Sequence, residues 1–172
     1  YFYQQADAGI FYIDNTEYTS VNTSGENVVL LPAEFKDLPE QFELSFDMKI
    51  TTGSTSTSDC RFFIGEKSRA IPTNPQQSVF IGKNDSAQTK LYYGYRTNET
   101  IGAISEVAIT GDYQSCKIVR NGNTFTYYQG STILGTKTFS WFDNYSEYVL
   151  GLVAWGTATI KVKNVKLVLG GS

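Results

Sequence analysis

The carboxylates that come closest to forming a reactive set are Glu40, Glu43 and Asp47, around the stretch Phe42-Glu43-Leu44-Ser45-Phe46-Asp47-Met48-Lys49-Ile50. Glycoside hydrolysis generally takes two carboxyl groups about 5–10 Å apart across a cleft. The stretch alternates apolar and polar residues, so Glu43 and Asp47 share a strand face, yet four residues separate them by about 13 Å. Ser45, between them, carries no acid. They read as solvated residues on the wet side of a strand. The chain has no histidine, which excludes Ser-His-Asp and Cys-His catalysis, histidine zinc sites and histidine pH switching. No HExxH, P-loop or GxSxG motif occurs. The expectation is a protein that is not an enzyme.

The aromatic residues are more informative. They make up 15% of the chain as 12 Tyr, 11 Phe and 2 Trp, and a ring bearing a hydroxyl suits a wet recognition surface. In Lys90-Leu91-Tyr92-Tyr93-Gly94-Tyr95-Arg96, large groups stand on both faces of an expected strand, and Val149-Leu150-Gly151-Leu152-Val153-Ala154-Trp155 is apolar on both. An outer strand of a soluble sandwich normally shows water one polar face. The second face of these two strands therefore meets either the chain's own loops or a ligand. A sugar ring offers an apolar C–H face and a rim of hydroxyls, which aromatic rings and polar side chains respectively satisfy. Trp155, Tyr93 and Tyr95 are the stacking candidates, and Tyr92 takes the place of Tyr93 if the parity shifts by one residue. Arg61 and Arg96 are the candidates for hydroxyl contacts. Trp141 and Tyr145, in the loop Ser140 to Ser146, would form a rim.

Asp14, Asn15 and Glu17 make an oxygen-rich turn and Asn84-Asp85 another, ligands of the kind calcium takes. Turns favour Asp and Asn for backbone reasons as well, so no metal site is assigned and no cofactor is expected. Cys60 and Cys116 either bridge or stand as buried thiols; their neighbours Phe62, Ile64 and Ile118 are apolar, which favours thiols facing inward. N-x-[ST] occurs at Asn22, Asn84, Asn98 and Asn144, a weak signal in so Ser/Thr-rich a chain.

The elements that position these residues are strands. Besides Phe42 to Ile50, candidates run Val28 to Leu31, Cys60 to Ile64, Val79 to Gly82, Lys90 to Arg96, Cys116 to Arg120, Thr124 to Gln129, Val149 to Trp155 and Thr159 to Leu169. In the last, Ala158, Ile160 and Val162 share a face and then Val165, Leu167 and Leu169 do, so a bulge is expected at Lys163-Asn164. Asn121-Gly122-Asn123 is a strong hairpin signal. Gly53 to Ser58 and Ala70 to Gln77 read as loops, and one helical turn is expected around Glu34 to Lys36, between Pro32 and Pro39. About nine strands in 172 residues predict an all-β, two-sheet antiparallel sandwich or jelly roll.

That length predicts one domain, residues 1–172. Lys+Arg 14 against Asp+Glu 17 gives a formal charge of −3, no basic surplus for nucleic acid, and no stretch approaches the ~20 apolar residues of a membrane helix. The start at Tyr1 and the end at Gly170-Gly171-Ser172 read as a domain cut from a longer protein.

Cys116-Lys117-Ile118-Val119-Arg120-Asn121-Gly122-Asn123-Thr124-Phe125-Thr126-Tyr127-Tyr128 resembles the R-x-G-N-x-hydrophobic-x-aromatic hairpin of concanavalin A-like jelly rolls, the group of laminin G domains, lectins and glucanases. The strand Phe42 to Ile50 and the closing run Ala158 to Leu167 are similar to the group's early and final strands, so the likeness spans roughly 40 to 169. The resemblance implies a curved jelly roll whose concave sheet binds carbohydrate. The group's enzymes carry an E-x-D-x-x-E-like strand and its legume lectins an Asp/Asn/His calcium cluster; neither occurs here. The expectation is thus a non-catalytic carbohydrate-binding module for cell-surface or cell-wall polysaccharide, on a cell or virion surface as in adhesins and phage tails. Its alternative is an assembly domain that packs on another chain. A glycan and other domains of a parent protein are the expected partners.

Overall fold

The structure is a computed structural model and describes residues 2–5, 9–20, 23–36, 38–51, 59–67, 75–83, 90–156 and 159–169. In chain order its strands are β1 (Phe2–Gln5), β2 (Gly9–Asp14), β3 (Tyr18–Thr19), β4 (Thr23–Lys36), β5 (Gln41–Thr51), β6 (Asp59–Glu66) and β7 (Ser78–Lys83). There follow β8 (Lys90–Thr97), β9 (Thr100–Ala108), β10 (Gln114–Asn121), β11 (Thr124–Gln129), β12 (Thr132–Thr138), β13 (Glu147–Gly156) and β14 (Thr159–Leu169). A front sheet is ordered β1-β4-β13-β6-β7-β8-β9 and a back sheet β12-β11-β10-β5-β14-β2, with β3 also on β14. All pairings are antiparallel except β1 with β4. The expected all-β sandwich is the fold.

Two-residue alternation decides which side chains fill the space between the sheets. In β5, Phe42, Leu44, Phe46, Met48 and Ile50 point inward and are buried. They meet Phe62, Ile64, Val79, Ile81, Leu91, Leu150 and Leu152 of the front sheet in one core. The predicted slip in β14 is present: its register against β5 shifts between Lys163 and Lys166, with Asn164 at φ 55°. Val162, Val165 and Leu167 consequently all face the core, while Lys161, Lys163 and Lys166 keep to the water side. Ala158 and the loop 53–58 lie outside the described residues, as do 70–74 and the Asn22 and Asn84 sites.

Glu34 to Lys36 are strand, the end of β4, and not a helical turn. Leu31, Ala33 and Phe35 alternate inward and are fully buried, which overrides the bracketing prolines. Five strands were not legible: β1, β2, β3, β9 and β12. In β9 and β12 every described residue is at least partly exposed, so neither shows the apolar alternation of a core strand. Both are edge strands, and they meet each other. Ile104, left unpaired where the register of β9 shifts against β8, reaches Gly135 of β12. A Cβ there would come within 2.6 Å of its Cγ2.

Arg120 is the largest fully buried side chain among the described residues. Its Nε donates to the Gly122 carbonyl at 2.9 Å, Nη1 to the Pro39 carbonyl at 3.0 Å, and Nη2 to Asp143 Oδ1 at 2.6 Å. The guanidinium also lies 4.9 Å from the Phe142 ring centroid. It thereby ties the Asn-Gly hairpin, where Gly122 takes φ +63°, to the β4–β5 connection and to the 3-10 turn Phe142–Asn144. Buried groups satisfied in this way are costly to strip of their partner. Urea titration of Arg120→Ala is expected to show a loss of about 3 kcal/mol, which Lys at this position does not restore because it lacks the planar fork.

Cys60 and Cys116 are both buried thiols outside any disulfide. Burial pushes the Cys116 thiol up to about 12. Thiol-reactive reagents are expected to leave both unmodified in the native protein and to label both after denaturation; rapid labelling of the folded chain would contradict this arrangement.

Candidate functional site

Register places the outward side chains of the front sheet in rows. One row runs Leu30, Gly151, Phe63, Phe80 and Gly94; a second runs Val28, Val153, Arg61, Gly82 and Tyr92; a third runs Glu34, Val149, Gly65, Ser78 and Arg96. In each row large side chains lie down over glycines. A Cβ on Gly151 would meet Phe63 Cζ at 2.8 Å, one on Gly82 would meet Arg61 Cγ at 2.9 Å, and one on Gly65 would meet Pro75 Cγ at 2.6 Å. Phe80 rests on Gly94 in the same way, with 3.1 Å to its Cζ.

This face is not open. Phe63, Phe80, Val149 and Val153 are each 2% exposed or less. Among the described residues, Pro75 covers Gly65, and it is clamped by Arg96, whose Nη1 donates to the Pro75 carbonyl. Of the two explanations for strands apolar on both sides, the chain's own covering holds over the middle of the sheet.

The candidate residues divide accordingly. Trp155 projects from the outward face at the end of β13 and is 45% exposed. Arg61 belongs to the same face, opposite Val153, and is buried with its guanidinium 5.2 Å from the Phe80 centroid. Tyr92, two strands on in the same row, is partly exposed. Trp155, Arg61 and Tyr92 therefore lie towards one end of that face, with Tyr92 three strands from Trp155, whereas Arg96 lies towards the opposite end. Tyr93 is removed from the stacking set: strand parity turns it inward, fully buried, with its hydroxyl 3.6 Å from Cys116 Sγ. Burial raises its pKa far above the usual phenol range.

Tyr95 also points inward. Its ring lies against Gly102 and 5.0 Å from the Phe139 ring, with the Lys137 ammonium 5.3 Å from its centroid. Trp141 is buried between Phe139 and Phe142, so it forms no exposed rim. Tyr145 accepts a hydrogen bond from Gln77 Nε2. These three close one end of the sandwich rather than line a groove. The aromatic-lined sheet expected across Tyr93, Tyr95, Trp141 and Trp155 does not assemble as one surface.

The outer face of the back sheet is polar. Glu43 pairs with Lys117 at 3.2 Å, and Asp47 accepts from Ser115 Oγ at 3.0 Å and Asn164 Nδ2 at 2.8 Å. Tyr113 donates to Glu17, which lies 3.8 Å from Lys161. That hydrogen bond, with Lys161, Lys163 and Lys49 behind it, lowers the pKa of the Glu17 carboxyl. Lys163 and Lys49 stand 4.0 and 5.8 Å from the Tyr113 centroid, and Lys117 stands 4.3 Å from that of Tyr128. This basic and aromatic cluster escaped sequence reasoning, although the spacing of Lys161, Lys163 and Lys166 signalled it. Asp14 is occupied by Tyr12, Tyr18 and the Thr16 amide. Among the described residues no three acidic or cysteine side chains converge on a metal position; Asn84-Asp85 lies outside those residues.

No family model and no curated protein matches the chain. Solved structures do. A carbohydrate-binding module, CBM66 from Bacillus subtilis, superposes over 96% of this chain and 99% of its own, with TM-score 0.61 and 16% identity. The potassium-bound carbohydrate recognition domain of Emp46p covers 88% and 81%, with TM-score 0.63 and 11% identity. The PL7 alginate lyase AlyA1 from Zobellia galactanivorans covers 80% and 65%, with TM-score 0.52 and 10% identity. At such identities the likeness is one of fold: the jelly-roll sandwich of these carbohydrate-active proteins, binding domains and enzymes alike.

Packing on the front face predicts one sharp response. A Cβ at Gly82 would lie 2.2 Å from the Cys60 carbonyl oxygen and 2.5 Å from Arg61 Cα, so Gly82→Ala must push β6 and β7 apart. Thermal unfolding is expected to show a loss of about 2 kcal/mol or more; an unshifted midpoint would mean that the strands are not so closely apposed.

Proposed function

We propose that this domain binds carbohydrate without catalysis, as a module of a longer extracellular, cell-surface or virion protein. The observation that carries the proposal is Trp155, a large exposed ring at the rim of an otherwise covered sheet. It lies at the same end of that face as the Arg61 row, which runs to the partly exposed Tyr92 three strands away. An indole offers the flat apolar surface that a pyranose C–H face stacks on, while the phenol of Tyr92 supplies a hydroxyl partner. Two of the fold's neighbours are a carbohydrate-binding module and a carbohydrate recognition domain, which supports the same reading.

The non-catalytic part rests on the carboxylates. Glu43 and Asp47 are held by Lys117, Ser115 and Asn164 on the back sheet, away from Trp155 on the front sheet.

Affinity electrophoresis against a polysaccharide panel tests the proposal. The wild-type domain is expected to be retarded by at least one polysaccharide, with Trp155→Ala weakening that affinity about tenfold, or ~1.4 kcal/mol. No reducing ends or unsaturated products should appear on prolonged incubation. Undiminished affinity in Trp155→Ala would take this residue out of the site, and product release would make the domain an enzyme.

A further inference from the structure

The outer face of the back sheet carries Lys49, Lys117, Lys161, Lys163 and Lys166 against the carboxylates Glu17, Glu43 and Asp47, in a chain whose formal charge is −3. The concentration of cations follows from the β14 bulge. Strict alternation through Asn164 would turn Lys166 inward; the bulge there lets all three lysines of β14 face out.

Four of the five lysines form two rows, and Lys163, opposite Asp47, lies between them. Lys161 stands opposite Lys49 on β5, and Tyr113, just before β10, continues that row. Lys166 stands opposite Ser45, which faces Lys117, and Lys117 faces Tyr128. Each row ends on a tyrosine ring that bears a lysine ammonium, Lys163 from between the rows over Tyr113 and Lys117 over Tyr128. Neighbouring lysines along β14 are about 7 Å apart, and Lys166 and Lys117 are separated by two strand spacings, roughly 9.5 Å. Between the rows, Asp47 is already engaged by Ser115 and Asn164. Among the described residues Lys49, Lys163 and Lys166 have no carboxylate within ion-pair distance.

We propose that this face is a second ligand surface, which binds an acidic polysaccharide through Lys49, Lys161 and Lys163 around Tyr113 and through Lys117 and Lys166 beside Tyr128. The proposal rests on the reading of the domain as a carbohydrate binder and adds a class of ligand and a face to it. Charge complementarity selects a polyanion, because a spread of ammonium groups engages several charged sugars where a single saccharide would meet one or two. Glu17, Glu43 and Asp47, set among the lysines, accept hydrogen bonds from sugar hydroxyls but would repel a duplex carrying one charge per ~1.7 Å. A polysaccharide with spaced carboxylates and many hydroxyls fits both signs; a phosphodiester polymer fits only one.

Affinity electrophoresis in gels containing polygalacturonate, or neutral dextran and β-glucan, separates the outcomes. The wild-type domain is expected to be retarded by polygalacturonate, with an affinity that falls as salt rises. Lys49→Ser/Lys163→Ser is expected to lose about tenfold of that affinity, whereas Lys90→Ser, which removes a lysine at the start of β8, keeps it. Equal melting temperatures would exclude misfolding as the cause. Retardation by neutral gels alone, or an unchanged double variant, overturns the acidic face and leaves carbohydrate binding standing. Retardation by none of the polysaccharides overturns both. Binding to duplex DNA or to phosphatidylserine vesicles as tight as to polygalacturonate overturns the ligand class.

Discussion

A sheet whose central strands are apolar on both sides must be covered twice, and this constraint organises the molecule. Strands β6, β7 and β13 spend one face on the inter-sheet core. The other carries Phe63, Phe80, Val149 and Val153, which form a second, smaller apolar layer. Glycines in neighbouring strands let the rings lie flat, so that this layer is thin and tight. The two sheets thereby acquire opposite characters. The front sheet is dry on both sides around Phe63, Phe80, Val149 and Val153, with Trp155 emerging beyond them; the back sheet has a wet outer face laced with hydrogen bonds, ion pairs and cation–π contacts.

The ends of the sandwich are closed by different means. At one end Tyr95, Phe139, Trp141 and Phe142 interlock, and Phe142 stacks on Tyr148 at 4.9 Å. Arg120 inserts its cation beside this aromatic group and anchors the loops around it. Aromatic residues that on composition alone suit a recognition surface are here used to finish a core. A chain with 15% aromatic content has enough rings for both tasks, and their exposure separates the two.

Much of the fold was legible because the residues of β5, β10, β11 and β14 obey the period of two and because Asn-Gly and the Lys163-Asn164 slip are local signals. Edge strands were not, since β9 and β12 have no fully buried residue to reveal their period. The site was legible only in part. Parity separates Tyr92 from Tyr93, and a sequence with rings at both positions does not say which of them faces the second sheet. Trp155 and Arg61 were both named from residue type and strand position, but whether their face is open depends on segments such as Pro75, whose path no periodicity describes. The lysines of the back sheet were passed over because each is unremarkable alone; only the pairing of β14 with β5 and of β5 with β10 makes them neighbours.

The meeting of β9 with β12 bears on how crowded copies of this domain behave. Exposed sheet edges invite strand addition from other molecules and, at high density, fibrous aggregation. Here each of the two edge strands carries a register irregularity, at Ile104 and at Leu134, and Ile104 packs on Gly135 between them. Lys137 adds a charge along the same border. An incoming strand would find an interrupted ladder and an ammonium group instead of a straight template. Many copies arrayed side by side would on this side stay separate folded units.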